Sequence, residues 1–279
     1  MKVLLAHDGS VTAARAARLI TTINWPAEAV VHLVRAYERD DDDRLRVRAQ
    51  DELNVARGAL LAGHRSVTTA LLHGRPATVI LEEATRIRAD ILVIGSHGRG
   101  AIASMLLGSV ANEVSDHAAC PVLVARADRI GRVVLAHDGS DGARQAEALL
   151  LQLPFLRERP VHVITAWSIA PGYGVYDPTG GAFSADLYSE LVDAVRDDAK
   201  RAQGDVLARL RSANISATGQ VRESPAADAI TDSAGPSDLI IIGARGRRGL
   251  TRLLLGSVSR RVLHQAKASV LIVPPCAIT

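Results

Sequence analysis

Two short segments of this chain carry residue types that could do chemistry. Val3-Leu4-Leu5-Ala6 runs into His7-Asp8-Gly9-Ser10, and Val133-Val134-Leu135-Ala136 runs into His137-Asp138-Gly139-Ser140. A carboxylate at the end of a buried run can accept hydrogen bonds from ribose hydroxyls or an adenine amino group. It can equally cap the following helix with Ser10 or Ser140, because Asp is favoured near helix starts. A second pair lies further on, in Gly95-Ser96-His97-Gly98-Arg99-Gly100 and Gly243-Ala244-Arg245-Gly246-Arg247-Arg248-Gly249. After the same nine-residue gap come Gly108-Ser109-Val110 and Gly256-Ser257-Val258. Glycine lets a backbone approach a ligand closely and aim its N–H groups at an anion. A helix starting near Val110 or Val258 adds unpaired N–H groups and partial positive charge. Together a glycine loop and a helix start can grip a polyphosphate from two sides, with Arg99, Arg247 and Arg248 adding charge. The plainer reading of the same glycines is tight turns and close packing. One Gly-x-x-Gly is weak evidence, and two copies with the same gap carry more.

The histidines are weaker candidates. His7 and His137 read as buried and hydrogen-bonded, because no second ligand stands at metal spacing. His97 sits within its glycine loop, but its counterpart is Arg245, so no mechanism is built on it. No catalytic residue is assigned. There is no Walker lysine after a glycine-rich loop and no Glu or His repeated at both loops, as phosphoryl transfer would need. A dinucleotide fingerprint should follow the first strand, where this chain has Asp-Gly-Ser.

Positioning these residues requires a repeated architecture. Asp8 recurs as Asp138, 130 residues on, and Gly95 as Gly243, 148 residues on. The second copy's extra length is expected in a Gly/Pro-rich loop at residues 171–181. Short Val/Ile/Leu-rich runs at 2–7, 30–35, 67–72, 91–94 and 122–125 read as strands, as do 132–137, 161–166, 215–221, 239–242 and 270–273. Their lack of alternation suits strands covered on both faces. Helical segments lie between them: one from Ser10 to Ile23, one after Pro76, and its counterpart after Ser224-Pro225, with Ser as cap and Pro first in the helix. Alternation of this kind predicts βαβ units and two doubly wound α/β domains, at 1–127 and 128–279. In such sheets ligands bind beyond the strand carboxyl ends, where both motif pairs fall.

Composition excludes other classes. Aromatics are 3% of the 279 residues, too few for a single-strand stacking platform. Of 33 basic residues only Lys2, Lys200 and Lys267 are lysine, and acidic residues are interspersed to a net charge of +3, so no nucleic-acid surface is expected. Two cysteines without a CxxC exclude a disulfide framework or a cysteine-rich zinc site. No apolar run approaches a membrane span, and the apolar start at Val3–Ala6 is too short for a signal core, so a cytoplasmic location is expected.

The motifs together resemble the universal stress protein family in its tandem, ATP-binding form. The strand-end Asp8 and Asp138, the Gly-x-x-Gly loops and the Gly-Ser after nine residues carry the likeness across nearly the whole chain, joined by Gly74-Arg75-Pro76-Ala77 and Cys120-Pro121-Val122-Leu123-Val124. The resemblance implies five strands per half in the order 3-2-1-4-5, with the halves paired through their last strands. It also implies one ATP per half, with Mg²⁺. By position, Asp8 and Asp138 would meet ribose and adenine, and backbone near Arg35 and Thr165 would meet adenine. Gly95, Gly98, Arg99, Gly108, Ser109 and Val110 would surround the phosphates in one half, and Gly243, Gly246, Arg247, Gly256, Ser257, Val258 and Ser259 in the other. The family's Ser or Thr after Gly-Ser is Ser259 in one half and Ala111 in the other, so the first half is expected to lack one phosphate donor. The implied role is a stress-response nucleotide sensor acting on a regulatory partner, with no membrane. Homodimerisation is left open. The alternatives are a slow ATP hydrolase and a nucleotide-free interaction scaffold.

Overall fold

The computed structural model describes residues 1–38, 43–63, 66–98, 107–169, 185–246 and 255–275. Arg99, Arg247, Arg248 and the expected loop at 171–181 lie outside the described residues. The first half contains β1 (Lys2–Ala6), α1 (Val11–Thr21), β2 (Val30–Tyr37), α2 (Asp43–Leu61) and β3 (Val67–His73), then α3 (Pro76–Ile87), β4 (Ile91–Gly95), α4 (Ser109–His117) and β5 (Val122–Ala125). The second half contains β6 (Val133–Ala136), α5 (Asp141–Gln152), α6 (Pro154–Arg157), β7 (Val161–Trp167) and α7 (Ala185–Ser212). It closes with β8 (Ala217–Glu223), α8 (Ala226–Asp232), β9 (Leu239–Gly243), α9 (Ser257–Gln265) and β10 (Ser269–Val273).

The strands form one ten-stranded sheet of order β3-β2-β1-β4-β5-β10-β9-β6-β7-β8. Each half is therefore the expected doubly wound 3-2-1-4-5 sheet. All pairings within a half are parallel, whereas β10 meets β5 antiparallel, with Leu271 opposite Leu123. Helices cover both faces, which is why the central strands are continuous apolar runs: β4, β5, β6, β9 and β10 are buried throughout. One core joins α1, α2, α5, α6 and α7 to the sheet, and the other joins α3, α4, α8 and α9. Polar ties reinforce the seam. Arg260 Nη2 lies 2.9 Å from Asp116 Oδ1, and Arg126 donates to Leu263 O at 2.6 Å. Burial pulls the Arg126 guanidinium down to about 10. No helix among the described residues is long and apolar enough to cross a membrane.

Three local expectations are corrected. β8 starts at Ala217, not at 215, because the end of α7 claims Ile215: Asn214 turns left-handed (φ 58°) and Ile215 N–H donates to Leu210 O at 3.0 Å. Pro225 does not lie first in α8. Sheet register makes Ala226 the equivalent of Pro76, and Pro225 stands at the cap with no side-chain capping bond from Ser224. The second half's extra length is also partly helical, since α7 has 28 residues against 19 in α2.

Candidate functional site

At the end of β1 the chain must leave the sheet and begin α1. Gly9 makes that turn with φ 77°, and Gly139 does the same with φ 80°. Asp8 Oδ1 accepts from Ser10 N–H at 2.9 Å, and Asp138 Oδ1 accepts from Ser140 N–H at 3.0 Å. The helices themselves are capped by the serines, whose Oγ atoms accept from Ala13 and Ala143 N–H at 3.1 and 3.2 Å. Capping thus uses the hydroxyl and one carboxylate oxygen. The second carboxylate oxygen of each aspartate lies against a glycine of the second motif. A Cβ at Gly98 would stand 2.9 Å from Asp8 Oδ2, and one at Gly246 would stand 3.0 Å from Asp138 Oδ2.

The helix starts close the arrangement. Gly108 N–H donates to Ser96 O at 2.7 Å and Gly256 N–H to Ala244 O at 2.8 Å, holding α4 and α9 against the glycine loops. Gly108 and Gly256 cap these helices without a side-chain bond, unlike Ser10 and Ser140. The first N–H groups of α4 and α9, at Ser109-Val110 and Ser257-Val258, have no intrahelical acceptor. Ser109, Ser257 and Val258 are exposed and Val110 is half-buried. In each half, therefore, a carboxylate oxygen, a glycine backbone and an uncapped helix start converge at one rim of the sheet.

Other named residues fall elsewhere. Gly95 and Gly243 serve packing: a Cβ on Gly95 would meet Thr12 and Ala13 backbone at 2.7–2.8 Å, and one on Gly243 would meet Gly142 backbone at 2.4 Å. Ser259, expected as a phosphate donor, is buried, and its hydroxyl donates to Gly243 O at 2.8 Å. Its counterpart Ala111 is equally buried, so the first half lacks that tie to the strand end. Val34 O and Ile164 O accept from His7 and His137 N–H at 2.9 and 3.0 Å, so Arg35 and Thr165 are the first residues beyond that zip. The Arg35 side chain pairs with Glu52 of α2, and Thr165 Oγ1 donates to His137 O at 2.8 Å.

Sequence reasoning missed two features. Thr12 Oγ1 donates to His97 O, tying the first glycine loop to α1, whereas the second half has Gly142 there, with room for the Arg245 carbonyl. Burial and then the Arg126 charge hold the His97 imidazole below its ordinary range, so it is neutral at neutral pH. Beneath the second turn, Glu147 is buried and accepts from Arg209 Nε and Nη2 at 2.7 and 2.8 Å, with His137 Nε2 3.2 Å away. Burial raises this carboxyl, but the Arg209 and His137 hydrogen bonds and charges outweigh it and set it below its usual range. Only the Ser-x-Thr spacing after Asp8 could have flagged Thr12. Nothing local flags Glu147, whose partner is 62 residues away.

The fold and the duplicated rim define a tandem doubly wound α/β protein with one site-like convergence per half. The universal stress protein family profile matches residues 1–126 and 129–274, and the chain belongs to that family. A universal stress protein of Mycobacterium tuberculosis is 29% identical over 260 residues, which is 89% of this chain and 82% of that protein. One from Thermus aquaticus is 38% identical over 133 residues, covering 44% of this chain and 97% of its own. Among solved structures, a universal stress protein from Archaeoglobus fulgidus superposes with a TM-score of 0.67 at 15% identity, covering 98% of both chains, which is a likeness of fold.

Proposed function

We propose that this protein binds ATP, one molecule in each half (1–127 and 128–279), and acts as a nucleotide-responsive regulator in the stress response. The observation that supports this is the repeated cradle. A Cβ at Gly98 or Gly246 would fill the space beside the aspartate's second oxygen, and an uncapped helix start faces the same rim. The chemistry fits the two ends of the nucleotide. Asp8 and Asp138 accept from ribose or adenine donors, while backbone at Gly98, Gly246, Gly108 and Gly256 and the helix-start N–H groups receive phosphate. Arg99 and Arg247 are assigned to the phosphates from the sequence alone. No group of three or more His, Cys, Asp or Glu that could hold a metal occurs among the described residues. Magnesium accordingly fits as an ion carried on the phosphates and water, where it would offset their charge. Regulation then needs conformers of unequal ATP affinity, so that occupancy changes what a partner protein meets.

Calorimetric titration of ATP and Mg²⁺ into nucleotide-stripped protein tests this. Two equivalents are expected, falling to one in Asp8→Ala and in Asp138→Ala and to none in the double variant. Absence of binding, or binding that survives both substitutions, refutes the proposal.

A further inference from the structure

The first half carries a polar cluster on the α3 face of its sheet that the nucleotide rim does not use. His32 of β2 and Thr68 of β3 are register partners, so their side chains share one face, where α3 brings Glu83. His32 Nε2 lies 2.6 Å from Glu83 Oε1, and His32 Nδ1 lies 2.7 Å from Thr68 Oγ1. Arg86 donates to both Glu83 oxygens at 2.6 Å. These bonds, joined by the one from His32, outweigh burial and hold the Glu83 carboxyl below its usual range. A carboxylate only accepts, so the ring proton of His32 is assigned to Nε2. In the neutral ring Nδ1 then offers its lone pair to Thr68, whose hydroxyl donates. The His32 and Glu83 side chains are 12% and 6% exposed, whereas Thr68 is exposed. A hydroxyl in solvent, backed by an imidazole and a buried carboxylate in series, is the arrangement of an activated nucleophile. The second half has only part of it. His162 Nδ1 lies 3.1 Å from Thr218 Oγ1, but Ser233 stands where Glu83 does and donates to Ala229 O at 2.7 Å. The Asp238 carboxylate nearby is held by Arg132 and by Gly235 N–H, at 2.8 and 2.9 Å.

We propose that Thr68 is the nucleophile of an acyl-transfer site for small activated esters, with His32 as general base and Glu83 as the positioning residue that fixes the His32 tautomer. Thr68 Oγ1 bonds to the ester carbonyl carbon while its proton passes to His32 Nδ1. Negative charge then forms on the carbonyl oxygen, and the sheet edge offers it a donor. Val31 N–H donates to Ser66 O at 3.0 Å, so in this parallel pair the even-numbered residues of β3 bond to β2. β3 is the outermost strand, and the N–H of Thr69, next in the chain to the nucleophile, points to the open edge. Collapse breaks the bond to the leaving oxygen, which takes the proton from His32. Water then attacks the acyl-threonine in the same way, releasing the acid and restoring Thr68. The cluster lies near the amino ends of β2 and β3, at the opposite ends of the strands from the nucleotide rim, and does not depend on it.

The test mixes the full chain with p-nitrophenyl acetate, follows release of p-nitrophenolate, and locates acetylated peptides by mass spectrometry after an acid quench. Acetyl is expected on Thr68 and not on Thr218. Thr68→Val, at an exposed strand position, should remove the adduct and leave the melting temperature nearly unchanged, and Thr68→Ser should retain it. His32→Gln should slow acylation at least about 100-fold. ¹⁵N-histidine spectra should show His32 with its proton on Nε2, and Glu83→Gln should lose that preference and slow acylation at least about tenfold. An unlabelled Thr68, equal labelling of Thr218, or acylation that proceeds unchanged in His32→Gln overturns the proposal.

Discussion

At the scale of single residues, glycines only three apart have different tasks. A methyl group at Gly95 would collide with the α1 backbone, which cannot retreat without moving the helix, whereas one at Gly98 meets only the end of the Asp8 side chain. Gly95→Ala is therefore expected to cost about 1–3 kcal/mol of stability or more by overpacking. Gly98→Ala should leave the melting temperature nearly unchanged but weaken ATP binding at the first site about tenfold, by displacing a charged hydrogen-bonding group. Thermal unfolding and calorimetry on the two variants separate these outcomes. Glu147 gives a prediction in pH. Its folded carboxyl lies below the ordinary value, so its stabilisation is fully present above the unfolded glutamate range and is lost as pH falls through the folded value. Glu147→Gln should lower stability at neutral pH by about 1–3 kcal/mol and flatten the loss on acidification, as read by denaturant titration across the acid range.

At the scale of elements, the helix starts divide into two kinds. Those after β1 and β6 are closed by serine hydroxyls, and those of α4 and α9 have glycine caps without a side-chain bond. Ser10→Ala should cost about 1 kcal/mol, as loss of a cap does. Ser109→Ala should cost almost nothing in chemical denaturation. The elements themselves were legible in the sequence, because strands covered on both faces must be short continuous apolar runs and because each motif occurs twice. The rims were legible in the same way, through Asp8, Gly98, Gly108 and their copies. What escaped were consequences of packing between distant segments. The bond of the buried Ser259 hydroxyl to the Gly243 carbonyl joins residues 16 apart across a helix start and a strand end, which no local pattern shows. Ile215 reads as strand from its side chain, yet the left-handed Asn214 before it commits the backbone to closing α7. Glu147 and Arg209 pair only because α5 and α7 lie side by side on the sheet.

At the scale of the whole molecule, the β5–β10 ladder makes one sheet from two repeats. Leu123 and Leu271 face each other there, each 1% exposed or less. A fragment ending at residue 127 would present β5 as an open apolar edge. It is expected to self-associate, and sedimentation should find a dimer rather than a monomer. The antiparallel seam also fixes where the two rims point. With β5 and β10 running in opposite directions, the strand carboxyl ends of the first half leave one side of the sheet and those of the second half leave the other. The two rims thus stand back to back. No short ligand can span both rims, and a partner seated flat on one cannot touch the other, so avidity through a single contact surface is denied by geometry. The seam is the wall between the two rims.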